Sequence, residues 1–213
     1  MYIKRESTRR NWPIPRKGTK YVIAPSHSKK LGIPILVLLR DLLKLVKTRR
    51  ELKKLLIEKK VLVNGKPVYD PNYSLLLFDK ISLPSVKKYF TIVYSTSGKI
   101  SVKEITENES KEKIVKVVNK RILKGKKIQL NFSDGRNFIS NQNIGVGDSV
   151  IYNFSKKLID KVLPMKEKSH VLVIKGKHTG KIGTITKIDG GEINIKIDEK
   201  DLMIKENEII VIN

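Results

Sequence analysis

The sequence contains no cysteine, which excludes structural disulfides, thiolate zinc sites and cysteine-based catalysis together. It has only three histidines, His27, His170 and His178, so we expect no metal centre. The longest apolar run, from Ile33 to Leu39, is far shorter than the roughly 20 residues that a membrane span needs. The start, MYIKRESTRR, lacks the apolar stretch of a signal peptide. We therefore expect an intracellular, soluble chain without metal or other cofactor.

Acidic residues are scarce beside basic ones. Lys and Arg number 45 against 21 Asp and Glu, a formal net charge of +24. A free domain gains nothing from such self-repulsion, so the excess predicts a polyanionic partner. Residues 1–30 carry nine basic and one acidic residue, residues 31–85 eleven and five, residues 86–168 eighteen and eight, and residues 169–213 seven and seven. The last segment therefore does not bind polyanions by bulk charge.

Arginine is concentrated near the start of the chain. An AT-rich genome would explain the abundance of lysine, but it would not explain this placement. The planar guanidinium suits bidentate phosphate contacts and base stacking, so the first fifty residues are the strongest candidate for RNA contact. Seven of the nine arginines lie there: Arg5, Arg9, Arg10, Arg16, Arg40, Arg49 and Arg50.

A helix is predicted to begin after Thr48. Thr48 and Glu51, three positions later, have the spacing of a capping box, which satisfies two free backbone donors at a helix start. Leu52, Leu55 and Leu56 follow as an apolar stripe of 3.6-residue period. The sequence therefore predicts a short amphipathic helix with one buried face.

The exposed face of this helix carries like charges at helical spacing. Arg49 and Lys53 form one i,i+4 pair, and Arg50 and Lys54 form another. Each such pair destabilises a helix by a few tenths of a kcal/mol, roughly, so helix stability alone would not favour them. Phosphates lying opposite this face would explain the pattern. The alternative is an ordinary solvated helical hairpin with a lysine-rich face.

A hairpin follows the helix, and a buried helix precedes it. Residues 61–63 alternate with period two, and Asn64-Gly65 is a strong signal for a two-residue type I′ turn returning through residues 66–68. The nearly all-apolar stretch from Ile35 to Val46 predicts the buried helix. Together these elements predict a compact RNA-binding module.

Four short segments of this module resemble the S4 RNA-binding domain in order and spacing: Arg40-Asp41, Thr48 to Glu51, Val61 to Gly65, and Asp79 to Ile81. The sequence departs from the domain's pattern at Phe78, where the domain usually has Gly before the Asp. The resemblance implies a pair of helices that lie on structured RNA.

Residues 1–32 show neither helical nor strand periodicity. Pro13 and Pro15 disfavour helix and hold the chain extended, so we expect a basic extended arm. A disordered basic tail is the alternative. Trp12 among arginines favours an arm that orders on RNA and stacks its ring on a base, so deletion of residues 1–20 should impair assembly more than folding. The stretch RRNWPIPRKGTKYVIAPSHS closely resembles the N-terminal arm of the archaeal and eukaryotic S4e family of small-subunit ribosomal proteins.

Residues 86–168 are predicted to be nearly all strand. Tyr89 to Tyr94, Lys113 to Asn119 and Lys127 to Phe132 are β-branched or aromatic runs, and residues 133–136 form a turn. Only the acidic stretch from Ile105 to Glu112 suggests a helical turn. Short strands with regular turns favour a small barrel or curled sheet. GKKIQLNFSDGRNFI followed by GDSVIY resembles the central domain of the same ribosomal family.

The segment VLVIKGKHTGKIGTI, Val171 to Ile185, resembles the KOW motif. Its glycines permit positive φ and close backbone approach in a loop that carries lysines. Ile193, Ile195 and Ile197 alternate as in a half-buried strand, which fits a five-stranded Src-homology-like barrel. A nucleotide-binding loop is disfavoured, because the spacing lacks G-x-x-x-x-G-K-[ST] and no helix follows.

The chain is identified as a member of the S4e family, since arm, S4 module, central β domain and KOW barrel follow in that family's order. We expect an α+β, multi-domain fold: an arm over 1–32, an S4-like domain over 33–85, a barrel-like central β domain over 86–168, and a KOW barrel over 169–213. The resemblance implies a structural, non-catalytic constituent of the small ribosomal subunit in the cytoplasm. Its partners would be small-subunit ribosomal RNA and neighbouring ribosomal proteins, with no membrane and no small-molecule substrate.

The candidate site residues are polar side chains for RNA and glycines for the turns. The expected RNA contacts are Arg5, Arg9, Arg10, Trp12, Arg16, Lys17, Lys20, Arg40, Thr48, Arg49, Arg50, Lys53, Lys54, Lys60, Asn64, Lys66, Lys126, Lys127, Arg136, Lys175, Lys177, His178 and Lys181. The structural glycines are Gly65, Gly135, Gly176, Gly180 and Gly183. No catalytic residue and no metal ligand is expected.

Two other classes of protein compete with this interpretation. RNA-modifying and aminoacylating enzymes also carry S4 domains, but they need a separate catalytic domain. Glu104, Glu107, Glu109 and Glu112 have no partner His or Lys constellation that would tune them for acid–base work. A KOW-bearing transcription elongation factor is the second rival, for which the excess of basic residues over 1–85 has no obvious use.

Overall fold

The computed structural model describes residues 1–29, 31–140, 142–198 and 200–212. The chain divides into two compact units. The N-terminal unit comprises Met1–Ser95 and Lys99–Lys111, and the C-terminal unit comprises Thr96–Gly98 and Glu112–Asn213. Most of the regular structure is strand, with few and short helices.

The arm is ordered and belongs to the N-terminal unit. Strands β1 (Tyr2–Lys4) and β2 (Tyr21–Ile23) pair antiparallel, and a 3-10 turn over Arg5–Ser7 follows β1. The backbone N–H of Arg5 donates to the carbonyl of Lys20 at 2.9 Å, which extends the pairing by one step. The arm thus contains two short strands although its sequence shows no strand periodicity, because its two ends pair with each other across a loop that includes both prolines.

The buried helix is shorter than predicted. After strand β3 (Ile33–Pro34), helix α1 (Ile35–Val37) continues as a π-helix over Leu38–Leu42, in which the N–H of Leu43 donates to the carbonyl of Leu38 at 3.0 Å. The expected extension to Val46 is wrong, since Lys44 has a left-handed φ of 53° that ends the helix. Helix α2 (Arg49–Ile57) follows as predicted.

The rest of the N-terminal unit is a five-stranded antiparallel sheet. Its order is β5-β4-β7-β8-β9, while β6 pairs with β3. The predicted type I′ turn is confirmed, because Asn64 and Gly65 both have positive φ, 51° and 75°. The strands are β4 (Leu62–Val63), β5 (Lys66–Pro67), β6 (Ser74–Leu75), β7 (Lys80–Leu83), β8 (Lys88–Tyr94) and β9 (Ile100–Ile105), and a 3-10 turn follows over Glu109–Lys111.

One apolar core joins the arm, the helices and this sheet. Leu38 comes from the π-helix, Leu52 and Leu56 from α2 and Ile81 from β7, and each is completely buried. Burying a side chain of this size contributes about 1.5–3 kcal/mol relative to leaving it exposed. Trp12 of the arm lies in the same cluster. The helices are therefore held by packing more than by their own short hydrogen-bonded runs.

The C-terminal unit contains two five-stranded antiparallel sheets. The first has the order β12-β11-β10-β13-β14, and the long strand β10 bulges between Val117 and Asn119, where it passes from β13 to β11. Val115, Val117, Leu130 and Val150 are buried in its core. The strands are β10 (Glu112–Ile122), β11 (Ile128–Phe132), β12 (Asn137–Ser140), β13 (Ser149–Asn153) and β14 (Leu158–Leu163).

The second sheet has the order β18-β17-β16-β15-β19. The predicted alternation is confirmed, since Ile193, Ile195 and Ile197 are all buried in its core. Gly183 is required by packing, because a Cβ there would lie 2.6 Å from Ile195 Cγ2. The strands are β15 (His170–Val173), β16 (Ile182–Asp189), β17 (Glu192–Ile197), β18 (Lys200–Lys205) and β19 (Ile209–Val211), with a 3-10 turn over Glu206–Glu208.

The predicted division after residue 85 does not coincide with the division into compact units. Strands β7 and β8 pair antiparallel from Lys80 with Thr91 to Leu83 with Lys88, so the chain continues the N-terminal sheet past residue 85. The N-terminal unit consequently reaches Lys111.

Within the described part of the chain, no helix is long and apolar enough to cross a membrane.

Candidate nucleic-acid interface

The start of α2 is fixed by the predicted capping box. The Thr48 hydroxyl accepts a hydrogen bond from the Glu51 N–H at 3.2 Å, and the Glu51 carboxylate accepts from the N–H groups of Lys47 at 2.8 Å and Thr48 at 3.4 Å. The hydrogen bond from Lys47 is the main reason why the pKa of Glu51 lies below its ordinary value. The side chain of Thr48 therefore serves the helix, whereas we had expected it to contact RNA.

The helix presents its cations to solvent. Arg49, Arg50, Lys53 and Lys54 are exposed, whereas Leu52 is buried on the opposite face. The predicted amphipathic pattern is thus confirmed. Because neighbouring turns of a helix are about 5.4 Å apart, the four charges form two parallel rows along its surface.

An open groove of about 750 Å³ lies beside these cations. Arg49, Arg50 and Lys53 line one part of it, and Tyr69 and Asp70 line another. Tyr69 is 55% exposed, so its ring is available to a ligand. The sequence interpretation missed this tyrosine. An aromatic residue directly after the hairpin of a basic module was the signal that could have identified it.

Arg49 also has partners within the protein. Its guanidinium donates to the Tyr2 hydroxyl at 3.0 Å and to the Asn72 side-chain oxygen at 3.3 Å. These bonds use only part of the five N–H donors of an arginine. They fix the guanidinium at the groove, where its other donors stay available to a phosphate.

Arg40 and Lys60 are engaged with neighbouring carboxylates. The Arg40 guanidinium donates to both oxygens of Asp41, at 2.8 and 2.9 Å, and the hydrogen bond from Arg40 to Asp41 is the main reason why the pKa of Arg40 is raised. Lys60 Nζ lies 2.7 Å from a carboxylate oxygen of Glu58. Lys66, at the hairpin, is exposed. Arg40 is therefore a weaker candidate for a bidentate phosphate contact than the cations of α2.

Asn64 has a structural role, and its expected contact with RNA is wrong. The side chain is 4% exposed. Its amide donates to Asp79 Oδ1 at 2.8 Å, and its carbonyl oxygen accepts from the N–H of Lys80 at 2.9 Å. Because a buried amide must satisfy its donors and acceptor inside the protein, Asn64 ties the hairpin to β7 instead of facing a ligand.

Trp12 and Arg5 hold the arm together. Trp12 is 3% exposed and packs in the apolar core, so its expected stacking on a base is wrong. Arg5 donates to the carbonyls of Thr19 at 2.7 Å and Pro15 at 2.6 Å, and to the Thr19 hydroxyl at 2.8 Å. Its guanidinium thus closes the arm's own loop, which leaves little of it for the expected phosphate contact.

The other cations of the arm face solvent. Arg9, Arg10, Arg16, Lys17 and Lys20 are all exposed. The Lys20 ammonium lies 5.7 Å from the ring centroid of Tyr21, a cation–π distance. The positions of these five residues agree with the expected role of the arm in contacting polyanions.

In the C-terminal unit, Arg136 lies at a turn that a buried ion pair supports. Its guanidinium carbon is 5.0 Å from the ring centroid of Phe154, and its Nε is 3.7 Å from Asp134. Asp134 in turn meets Lys113 Nζ at 3.0 Å. Lys127 is exposed, whereas the side chain of Lys126 lies outside the described part of the chain.

The loop between β15 and β16 carries the remaining candidates. Lys175 and Lys177 are exposed, and His178 is half-buried. Lys181 Nζ lies 2.8 Å from Asp198, so its charge has a partner in the protein. The conformation depends on glycine as predicted, and positive φ occurs at Gly65, Gly135, Gly176 and Gly180 among the predicted structural glycines.

Together these features suit the binding of a polyanion. Among the residues that the structure describes, no group of three or more His, Asp or Glu side chains could hold a metal ion. The exposed rows of Arg and Lys beside a tyrosine suit phosphates and a stacked base. The fold and this surface define the class of the chain, a nucleic-acid-binding protein.

Comparison with known proteins identifies the family. The S4 domain matches residues 35–81, and the ribosomal family S4e matches residues 86–159. The small ribosomal subunit protein eS4 of Methanocella arvoryzae is 40% identical over 190 residues, which cover 88% of this chain and 80% of that protein. The eS4 protein of Nanoarchaeum equitans is 36% identical over 195 residues, or 88% of this chain and 83% of that protein.

A solved structure agrees with these relatives. The crystal structure of 30S ribosomal protein S4e from Thermoplasma acidophilum superposes with a TM-score of 0.74 at 26% identity, over 87% of this chain and 96% of that one. The chain therefore belongs to the S4e family of ribosomal proteins, as its sequence motifs predicted.

Proposed function

We propose that the chain is a structural constituent of the small ribosomal subunit, where it binds small-subunit ribosomal RNA and supports subunit assembly and translation. The observation that carries this proposal is the similarity to the eS4 protein of Methanocella arvoryzae, which is 40% identical and is matched over 80% of its length. Ribosomal RNA and neighbouring small-subunit proteins are its partners, in the cytoplasm. The chain is a structural protein and not an enzyme.

The α2 surface supports this function physically. Each cation that meets a phosphate releases condensed counterions, so binding weakens as salt rises. A-form RNA hides its base edges in a deep, narrow groove, and recognition therefore relies on shape, backbone and 2′-hydroxyl contacts. The exposed Arg49, Arg50, Lys53 and Lys54 match such a backbone surface. Tyr69, 55% exposed at the same groove, adds a ring for an unstacked base.

The finer domain assignment belongs to the same proposal. The arm over 1–32, the S4 domain over 33–85 and the central domain over 86–168 act as RNA-binding segments. Residues 169–213 form a KOW module, a Src-homology-like barrel whose loop cations Lys175, Lys177 and Lys181 touch RNA locally. The five-stranded order β18-β17-β16-β15-β19 and the positive φ values of Gly176 and Gly180 support this assignment.

A charge-removal experiment tests the function. Arg49, Arg50, Lys53 and Lys54 are replaced by Ala together, and binding to a structured fragment of small-subunit ribosomal RNA is measured by fluorescence anisotropy at several salt concentrations between 50 and 500 mM, a range of about one decade. Removal of four phosphate contacts should lower the salt slope by about three, since each phosphate contributes roughly 0.7–0.9. The melting curve should change little, because relief of two like-charge pairs offsets the loss of the Arg49 hydrogen bonds to Tyr2 and Asn72.

A matched variant controls for loss of net charge. Lys187, Lys196, Lys200 and Lys205 are also exposed, lie on β16 to β18, and are not among the expected RNA contacts. Their joint replacement by Ala removes the same charge and should leave most of the salt slope intact. Equal slopes for the two quadruple variants would show that α2 is an ordinary solvated face.

Sedimentation tests the ribosomal assignment itself. The full chain, expressed in a related archaeon, should travel with the small subunit in a sucrose gradient at physiological salt. A chain that stays at the top of the gradient, or that co-purifies with RNA polymerase, would contradict the proposal and favour the elongation-factor alternative.

A further inference from the structure

The arm encloses a cavity of about 530 Å³. We propose that this cavity receives one unpaired nucleotide of the bound RNA, with its phosphates on Arg9, Arg10, Arg16 and Lys99. This inference rests on the proposed function, since it specifies which part of the bound RNA the arm contacts. In this proposal the arm contacts a base through the lining of the cavity, because the ring of Trp12 itself is buried.

Four cations around the cavity are available for phosphates. Arg9, Arg10, Arg16 and Lys99 line it and are exposed. Within the described residues, none of the four forms an ion pair with a carboxylate. The one acidic residue of the lining, Glu6, lies 3.8 Å from Lys4. An anion entering the cavity therefore meets four cations without an ion-pair partner among the described residues, against the single carboxylate of Glu6, which favours charge-assisted, bidentate arginine contacts.

Apolar groups form another part of the lining. Trp12, Ile14 and Pro15 contribute to it. Cavities of roughly 300–1,000 Å³ that combine apolar walls with a few polar groups are typical of sites for small ligands. A base against Ile14 and Pro15, the accessible part of this wall, joined to a phosphate on the cations, matches this combination. A paired base cannot enter the cavity in this way, because it is stacked inside its duplex.

Contacts within the protein hold the loop that lines the cavity. The Arg5 guanidinium closes the loop with hydrogen bonds of 2.6 to 2.8 Å to Pro15 and Thr19. The N–H of Ile100 donates to the carbonyl of Asn11 at 2.8 Å and attaches the arm to β9. Trp12 anchors the same loop in the core. Internal contacts of this kind reduce the conformational entropy that binding would otherwise cost.

Trp12 offers a direct test, because it is the only tryptophan of the chain and lines the cavity. The full chain is titrated with a single-stranded RNA of about ten nucleotides and with a blunt duplex of the same sequence. Trp12 emission reports the cavity, and fluorescence anisotropy of the labelled RNA reports binding anywhere. The single strand should change Trp12 emission in a saturable way. The duplex should bind without this change.

Two double variants separate the cavity from the general charge of the N-terminal unit. R10A/R16A removes two cations of the cavity, whereas K88A/K103A removes two exposed cations of the same unit, on β8 and β9, that do not line it. R10A/R16A should weaken the emission-linked binding of the single strand by about tenfold or more, given the strength of hydrogen bonds to charged groups. K88A/K103A should retain the wild-type emission change, and its circular dichroism melt should match that of R10A/R16A.

The outcomes distinguish the two proposals. Single-stranded RNA that binds by anisotropy without altering Trp12 emission would overturn the nucleotide cavity while leaving RNA binding intact. Equal effects of the two double variants on the emission-linked affinity would also overturn it. Absence of binding by either RNA and by the ribosomal RNA fragment would instead contradict the proposed function.

Discussion

Phe78 occupies a backbone conformation that suits glycine. Its φ is 61°, in the left-handed region, and the S4 domain usually has Gly at this position. The left-handed conformation costs an L-residue roughly 1–2 kcal/mol. The N–H of Phe78 donates to the carbonyl of Ile92 at 2.9 Å, and that of Asp79 to the carbonyl of Leu76 at 3.1 Å. These bonds hold the turn with Phe78 in the left-handed conformation that glycine would adopt without strain.

At Phe78 we expect a glycine variant to be more stable than an alanine variant, the reverse of the order within a helix. F78A and F78G both lose the half-buried ring, but only glycine adopts positive φ without strain. We expect F78G to be more stable than F78A by about 1 kcal/mol in urea denaturation. At Lys53, an exposed position inside α2, alanine should be more stable than glycine by about 1 kcal/mol. An F78A variant as stable as F78G would show that the turn is not held in the left-handed conformation.

Asp134 forms a buried ion pair with Lys113. The two charged atoms are 3.0 Å apart, and the side chains are 7% and 2% exposed. Burial by itself raises the pKa of Asp134. The charge of Lys113 and its hydrogen bond lower the pKa, and Arg136 lowers it further. These effects outweigh the effect of burial, so the pKa of Asp134 lies below the ordinary 3.8. The pair joins residues 21 positions apart, and no local pattern of the sequence predicted it.

The lowered pKa of Asp134 makes stability depend on pH. A carboxyl with a lower pKa in the folded state stabilises the fold fully above its unfolded value, and this contribution is lost as pH falls through the folded value. We expect the free energy of unfolding of the wild type to fall below about pH 4. D134N should have a lower free energy of unfolding at neutral pH, by roughly 3 kcal/mol, because it breaks a buried pair. Between pH 5 and 3, however, it should lose less stability than the wild type. D189N, at an exposed ion pair with Lys187, should follow the wild-type profile in urea denaturation.

At the scale of elements, α2 and the hairpin were predictable and the arm was not. The capping box of Thr48 and Glu51 and the Asn64-Gly65 turn depend on neighbours within a few residues, which the sequence displays directly. The pairing of β1 with β2 and the burial of Trp12 depend on contacts across the arm and with the core. Isolated prolines and arginines give no indication of such contacts.

The buried Trp12 reverses the expected effect of removing the arm. We had expected deletion of residues 1–20 to impair assembly more than folding, but Trp12 now lies in the core with Leu38 and Leu52. W12A should lower the free energy of unfolding by about 3–5 kcal/mol. W12F should retain most of the stability in the same urea titration. Wild-type stability of W12A would mean that the arm detaches in solution and that the original expectation holds.

At the scale of the whole molecule, a buried lysine joins the two sheets of the C-terminal unit. Lys116 on β10 is 4% exposed, and its ammonium donates to the carbonyls of Glu206 at 2.5 Å and Ile209 at 3.1 Å. Burial lowers its pKa. The N–H of Val211 donates to the Ser149 hydroxyl at 3.0 Å, which ties β19 to β13. Residues 206–211 are thus hydrogen-bonded to β10 and β13 of the first sheet of this unit.

Because of these hydrogen bonds, we expect the two sheets of the C-terminal unit to unfold together in one cooperative transition. K116M fills a similar volume but cannot donate to either carbonyl, so it should destabilise the unit by about 1–3 kcal/mol. K161M, at an exposed position of β14, removes the same charge and should have little effect. Hydrogen exchange of the β15 to β19 amides provides the measurement. Unchanged protection of these amides in K116M would show that the two sheets are stable independently.

Several local elements and the family could be predicted from the amino-acid sequence alone. The capping box, the Asn64-Gly65 turn and the alternating Ile193, Ile195 and Ile197 are patterns of nearest neighbours, and their periods are fixed by backbone geometry. The motifs in their order then identified the S4e family. Net charge, which is a sum and needs no coordinates, indicated a polyanionic partner.

Which of the candidate side chains are exposed depends on contacts between residues that are distant in the sequence. Trp12, Asn64 and Arg5 are polar or aromatic residues in a basic context, yet each is used by the fold through partners elsewhere in the chain. Tyr69 is left exposed beside α2 because the packing of the N-terminal unit does not use its ring. Burial and hydrogen-bond partners depend on contacts between distant residues, and a sequence pattern does not contain those distances.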